Sequence, residues 1–241
     1  MQKILEKYSL ELESDELEKF EKFLEIFIEK NSQINLSAIR EPDDIIEKHF
    51  VDSLMLNIFV EFTPPNPLDE GERNSPIQVA DLWTGWWFPL IPLAITNPEV
   101  EFTGIDSVAK KIKVVNEFID TLEIPNAHAI VSRFEDAWQD DAYRASFDFV
   151  VSRATAFLPV LLEYSIPLLK VGWVLCAYKL DDKEELGSSK QALHRLGAKI
   201  MKVKNYSIWD QKRVIIFIEK ISDTHKAYPR KNGIPSQSPI Q

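Results

Sequence analysis

From Ile77 to Glu219 short apolar runs alternate with stretches of helical period, and this alternation limits what the chain can fold into. Strands are expected at Ile77–Leu82, Val100–Ile105, Ala127–Val131, Phe147–Ser152 and Val174–Tyr178. Helices are expected at Ile91–Ile95, Lys110–Leu122, Leu158–Leu169 and Lys183–Leu196, the last capped by Gly197. Lys199–Tyr206 and Arg213–Glu219 read as two final strands, close enough to pair antiparallel. The expected class is α/β, a doubly wound seven-stranded sheet, mostly parallel with the last strand antiparallel, and helices on both faces.

Residues 1–62 have a different period and are expected to form an N-terminal helical extension. Leu17, Phe20, Phe23, Leu24 and Phe27 recur at three- and four-residue steps, with Glu and Lys between them. Ser14 or Asp15 is the expected N-cap, and Glu18 stands at capping-box spacing from Asp15. Asn31–Ser37 is a polar break, and a second helix is expected from Pro42 to Phe59 with proline in its first turn. Residues 63–76 carry four prolines and read as a linker loop. The α/β domain then spans 77–222, and 223–241 is a basic tail poor in structure-forming residues.

Composition removes several function classes. The chain has 241 residues, 45% of them hydrophobic, enough for one large domain with an appendage. No apolar run reaches the roughly 18 residues of a membrane span, and the N-terminus lacks an apolar signal region. One cysteine excludes an internal disulfide framework, and Cys176 reads as an inert thiol within a strand. His128, His194 and His225 have no ligand spacing, so no metal is expected. These features place the protein in the cytoplasm and off the membrane. A net charge of −10 requires any polyanion partner to meet a local basic face. Neither a Gly-x-Ser-x-Gly elbow nor a Walker loop is present.

In open α/β sheets ligands bind outside the carboxyl ends of the strands. That rule selects the turn Trp83–Phe88, Asp106, Phe134-Glu135 and Ser152-Arg153. An acid at the end of the second strand suits the ribose of a dinucleotide or of S-adenosylmethionine equally; alone, Asp106 would read as a helix N-cap. Arg153 and Glu135 have solvated surface readings as alternatives, and Lys110, Lys111 and Lys113 read as a solvated helix face. His49 reads as a packing or hydrogen-bonding histidine. The turn after the first strand normally needs glycines, because its backbone takes positive φ and approaches the ligand closely. Here Gly85 stands among Trp83, Trp86 and Trp87.

Several segments resemble one family. Asn35-Leu-Ser-Ala-Ile-Arg-Glu-Pro42 with Lys48-His-Phe-Val-Asp-Ser-Leu54 is similar to the N-terminal signature of the RsmG (GidB) methyltransferases. Thr84-Gly85, Phe88-Pro89, Ile91–Ala94, Asp106-Ser107 with Lys110-Lys111, Val151–Ala154, Leu168–Lys170, Ala177–Lys179, Arg213–Lys220 and Tyr228–Pro235 continue the likeness in order. The resemblance implies a Rossmann-like class I methyltransferase sheet. It implies an enzyme that transfers a methyl group from S-adenosylmethionine to N7 of a guanosine in 16S ribosomal RNA. The implied cofactor contacts are Trp83, Gly85, Phe88, Asp106, Phe134, Glu135 and Arg153, with Arg153 also orienting the reactants. Lys179, Arg230 and Lys231 are implied for RNA phosphates. The implied partner is 16S ribosomal RNA or the small ribosomal subunit, bound by a monomer. The alternative is a catalytically impaired RNA- or ribosome-binding protein whose turn is blocked by Trp83, Trp86 and Trp87. An NAD-dependent oxidoreductase fits the turn and tail less well.

The departures from the family pattern are concentrated. Around the turn the family reads Asp-x-Gly-Thr-Gly-x-Gly-Phe-Pro-Gly, whereas this chain has Trp83, Trp87 and Leu90 at three of those glycines. Trp173 follows Gly172 where the family tends to have Gly-Gly, and Trp138 and Trp209 match glycine-tolerant places more loosely. The chain holds 7 glycines and 6 tryptophans, against an average glycine content of about 7%. Depletion of one residue with excess of the other at matched places fits UGA codons that the cell reads as glycine. Leu90 is not explained in this way.

Overall fold

The computed structural model describes residues 1–63, 75–84, 87–132, 143–153, 156–180, 183–231 and 233–240. Its described strands are β1 Gln78–Leu82, β2 Glu101–Asp106, β3 Ala127–Val131, β4 Phe147–Ser152, β5 Leu169–Leu180, β6 Ala198–Ile208 and β7 Gln211–Lys220. They form one seven-stranded sheet in the order β3-β2-β1-β4-β5-β7-β6. β1 to β5 pair in parallel, and β7 runs antiparallel to both β5 and β6. The parallel strands are apolar on both faces: Val79, Ala80, Phe102, Ile105, Phe149, Val150 and Val151 are all buried. Strand order reverses between β1 and β4, which makes their carboxyl ends the topological switch point where this architecture binds ligands.

Helices cover the sheet. α5 Leu90–Thr96 and α6 Ala109–Thr121 follow β1 and β2. α7 Leu158–Ser165 follows β4 and tightens into a 3₁₀ turn at Ile166–Leu168. The helix expected over 183–196 is instead two, α8 Lys183–Ser188 and α9 Lys190–Leu196. Ser188 and Ser189 explain the break, since both hydroxyls donate to the Glu185 carbonyl and compete with the helical ladder. β5 starts five residues earlier than its apolar run suggests. The register with β4 shifts between Phe147 and Phe149, and Gly172 at φ 89° lies within the β5 residues that the shift leaves unpaired.

The N-terminal segment forms α1 Gln2–Lys7, α2 Ser14–Ile34, α3 Pro42–Ile45, a π-helical turn Ile46–Val51 and α4 Asp52–Phe59. α2 begins one residue earlier than expected. Its N-cap is Glu13, whose N–H is accepted by the Glu16 carboxylate at 2.8 Å. The apolar face of α2 packs into an aromatic cluster: Phe23 lies 4.9 Å from Phe50, 5.6 Å from Phe118 and 5.7 Å from Phe88, centroid to centroid. Through Phe88 this cluster reaches the turn after β1. The tail contains one short helix, α10 Ile234–Gln237. No helix among the described residues is long and apolar enough to cross a membrane, and no group of metal-ligating side chains is found among them. The expected linker falls largely outside the described residues.

Candidate active site

The turn after β1 is tied to its neighbours by backbone and by one buried acid. Trp83 and Thr84 N–H both donate to the Ile105 carbonyl, at 3.0 and 3.4 Å, and Trp87 N–H donates to Thr84 at 2.7 Å. The buried Asp81 carboxylate accepts from Leu90 N–H at 3.2 Å and so fixes the start of α5 against β1. Burial pushes the Asp81 pKa up to about 7, partly opposed by hydrogen bonds from Thr84 and Leu90. The adjacent strand must be bare here. A Cβ on Gly104 would lie 2.8 Å from both Leu90 Cδ2 and Thr84 Cγ2. Leu90 is accommodated because Gly104 has no side chain.

Two residues of this turn have a left-handed backbone, Trp83 at φ 62° and Trp87 at φ 64°. Trp83 is half-buried, with its ring 5.6 Å from Tyr164 of α7. Trp87 is 1% exposed and sits edge-on to Phe27 of α2 and Phe118 of α6, at 5.6 and 5.1 Å. Gly85 and Trp86 lie outside the described residues, as do Phe134 and Glu135. At the end of β2, Asp106 is buried and its Oδ1 accepts from Val108 N–H at 2.9 Å, which shapes the entry into α6.

The end of β4 carries the densest polar network. Arg153 donates to the Lys48 carbonyl at 3.1 Å, to Asp52 Oδ2 at 2.9 Å and to His49 Nδ1 at 3.1 Å. Asp52 is fully buried; its Oδ2 also accepts from Arg213 at 3.0 Å, and its Oδ1 accepts from the Tyr206 hydroxyl at 2.8 Å. One carboxylate therefore joins the N-terminal helices to β4, β6 and β7. The π-helical turn just before it re-aims His49 and Asp52 relative to an ordinary helix, a feature frequent at functional sites.

A guanidinium only donates, so His49 Nδ1 accepts and the ring hydrogen lies on Nε2, 3.1 Å from Ser37 Oγ. Burial, then Arg153 and Arg213, hold the His49 pKa down at about 3, and the ring is neutral. It stacks on Phe88 at 4.6 Å. A cavity of about 430 Å³ lies against these groups, lined by Asn35, Ser37, His49, Trp87, Phe88 and Arg153 among others. Asn35, the C-cap of α2, is itself left-handed at φ 51°, and buried Asn31 pins the following loop through Ser37 N–H and the Ile39 carbonyl.

Two residues expected to meet RNA have other partners. Lys179 is buried, paired with Glu185 and donating to the Ala156 carbonyl. Arg230 is bidentate to the buried Glu163 carboxylate, at 2.9 Å through Nε and 2.7 Å through Nη2. The partner of Lys179 is the partly buried Glu185 and that of Arg230 the fully buried Glu163, so a phosphate would have to compete with both ion pairs. Lys231 is exposed. Cys176 is buried in β5, with its thiol pKa pushed up by burial.

Residues 16–215 match the family model described as GidB, rRNA small subunit methyltransferase G. The chain belongs to this family. It is 42% identical to the ribosomal RNA small subunit methyltransferase G of Desulfitobacterium hafniense, over 98% of this chain and 94% of that protein. The protein of the same description in Acetivibrio thermocellus is 35% identical, over 97% of this chain and 92% of that protein. Among solved structures, a SAM-dependent methyltransferase from Aquifex aeolicus shares the fold, with a TM-score of 0.52 and 16% identity over 74% of this chain and 94% of that one. The fold is thus the SAM-dependent methyltransferase sheet, with Asp81, Asp106 and Arg153 at or just after the carboxyl ends of β1, β2 and β4. Asp52, Tyr206, Arg213 and Ser37 carry this site without having been singled out in the sequence. The legible signal was Asp52 itself, a lone acid in the apolar run Phe50–Leu56.

Proposed function

We propose that this protein methylates N7 of a guanosine in 16S ribosomal RNA, with S-adenosylmethionine as the methyl donor. The observation that carries the reading is the switch point between β1 and β4, with a cavity beside it lined by apolar Phe27, Trp87 and Phe88 and by polar Asn35, His49 and Arg153. The strand-end acid Asp106 suits the donor's ribose. The β1 turn as written does not suit the donor, because its left-handed positions bear indoles where the backbone must come close to a ligand. No step is therefore assigned to the bound donor.

The acceptor side is consistent with the proposed chemistry. Guanine N7 carries a lone pair and no proton, so its attack needs no general base. His49 offers none: it is neutral, and its one unprotonated nitrogen is committed to Arg153. The site's contribution is then positioning and electrostatics. Arg153 is a positioning residue that holds His49 and Asp52 while lining the cavity. Exposed Lys231 remains a candidate for phosphate contact. A second reading, an RNA-binding protein without transfer activity, is favoured by the burial of Trp87 against α2 and α6.

The test is incubation of the full chain, with Trp83, Trp86 and Trp87 each replaced by Gly, with small ribosomal subunits and labelled S-adenosylmethionine. The reading predicts one N7-methylguanosine in 16S rRNA. Label on another base or atom, or retention on the subunit with no label transferred, contradicts it.

A further inference from the structure

The backbone around the tryptophans has a property that their side chains do not explain. Trp83, Trp87 and Trp209 have φ values of 62°, 64° and 59°. They are three of the four tryptophans among the described residues, Trp173 being the other. Every other described non-glycine residue with positive φ is one of Ser9, Asn35, Glu123 and Ala145. A bulky L-residue in this region is an outlier, and glycine is the residue that enters it without a steric penalty.

The third of these positions separates two explanations. Trp83 and Trp87 lie in the cofactor turn, so a turn that lost its function would account for them. Trp209 does not lie there. It is the first residue of the two-residue loop, Trp209-Asp210, that joins β6 to β7 at the edge of the sheet. Positive φ at the first loop residue but not the second is the pattern of a type II′ hairpin turn, whose first central position calls for glycine. Trp209 packs against Lys48 of the N-terminal segment, outside the β1 turn, and decay of that turn has no reason to put an indole at the tip of this hairpin. A rule that acts on the codon does.

We infer that positions 83, 87 and 209 are glycine in the functional protein, written as tryptophan because its gene uses UGA as a glycine codon. The same rule covers Trp86, Trp138 and Trp173 through the shortage of glycine and excess of tryptophan. It converts the β1 turn into one whose left-handed residues bear no side chain, which removes the mismatch with a nucleotide-like ligand. The inference stands on backbone geometry and holds whether or not the proposed methyl transfer is correct.

Two measurements test it. Tandem mass spectrometry of peptides from the protein isolated from its natural cells is expected to read glycine at 83, 87 and 209, from UGA codons in the gene. Tryptophan in those peptides, or UGG in the gene, overturns the inference. On the full chain as written, Trp209→Gly is expected to melt about 2–4 °C above Trp209→Ala, since both lose the indole and only one relieves the left-handed backbone. Equal melting temperatures, or a higher one for alanine, would remove the structural support for the inference.

Discussion

At the scale of single residues, Asp52 is the joint of the molecule. It receives Arg153, Arg213 and Tyr206 on a side chain with no solvent exposure. Removing one member of a buried ion pair strands the others, so Asp52→Ala is expected to cost about 3–5 kcal/mol of stability, read from urea denaturation. His49 makes a prediction in pH. Its folded pKa of about 3 lies below the ordinary histidine value of 6.5, so the unfolded chain takes up the proton first. The stability it contributes is full above pH 6.5 and is lost as the pH falls from there towards 3. His49→Gln should flatten that part of the stability profile, and equal acid sensitivity in both forms would contradict the assignment. Asp106 and Arg153 were legible in the sequence because strand ends follow from apolar runs. Asp52 was legible only as a lone acid in an apolar run, and Tyr206 and Arg213 were not legible, because their meeting with it depends on how the helical extension lies across the sheet.

At the scale of elements, periodicity located every described strand, and the errors fell where a local polar bond or an irregularity outweighs it. Ser188 and Ser189 split a helix, and β5 begins early across a register shift with β4 that falls around Gly172. The tail is anchored by contacts that its spacing does not show. Composition marked it as basic and weakly structured, yet Arg230 closes on Glu163 and Arg144 holds the Thr224 and Tyr228 carbonyls, at 2.8 and 3.0 Å. A buried carboxylate on α7 is what an exposed-looking arginine needs, and sequence spacing cannot pair two residues so far apart. Arg230→Ala is expected to destabilise the fold by about 3–5 kcal/mol, because Glu163 is left buried and unpaired. Adding Glu163→Gln to that variant should recover part of the loss. Full additivity of the two substitutions would show that the pair is not coupled.

At the scale of the whole molecule, the strand order places the switch point between β1 and β4, and His49 of the N-terminal segment packs there on Phe88 and Arg153. That plan was largely legible, since alternation fixes the sheet and the sheet fixes the crevice. Its turn was legible only as a contradiction, glycine geometry written with tryptophan. The most direct test is isothermal titration of S-adenosylmethionine into the full chain as written and into the same chain carrying Trp83→Gly, Trp86→Gly and Trp87→Gly. The account predicts binding to the glycine form and at least a roughly tenfold weaker affinity, about 1.4 kcal/mol, for the tryptophan form. Equal affinity in the two forms, or no binding by the glycine form, would contradict it.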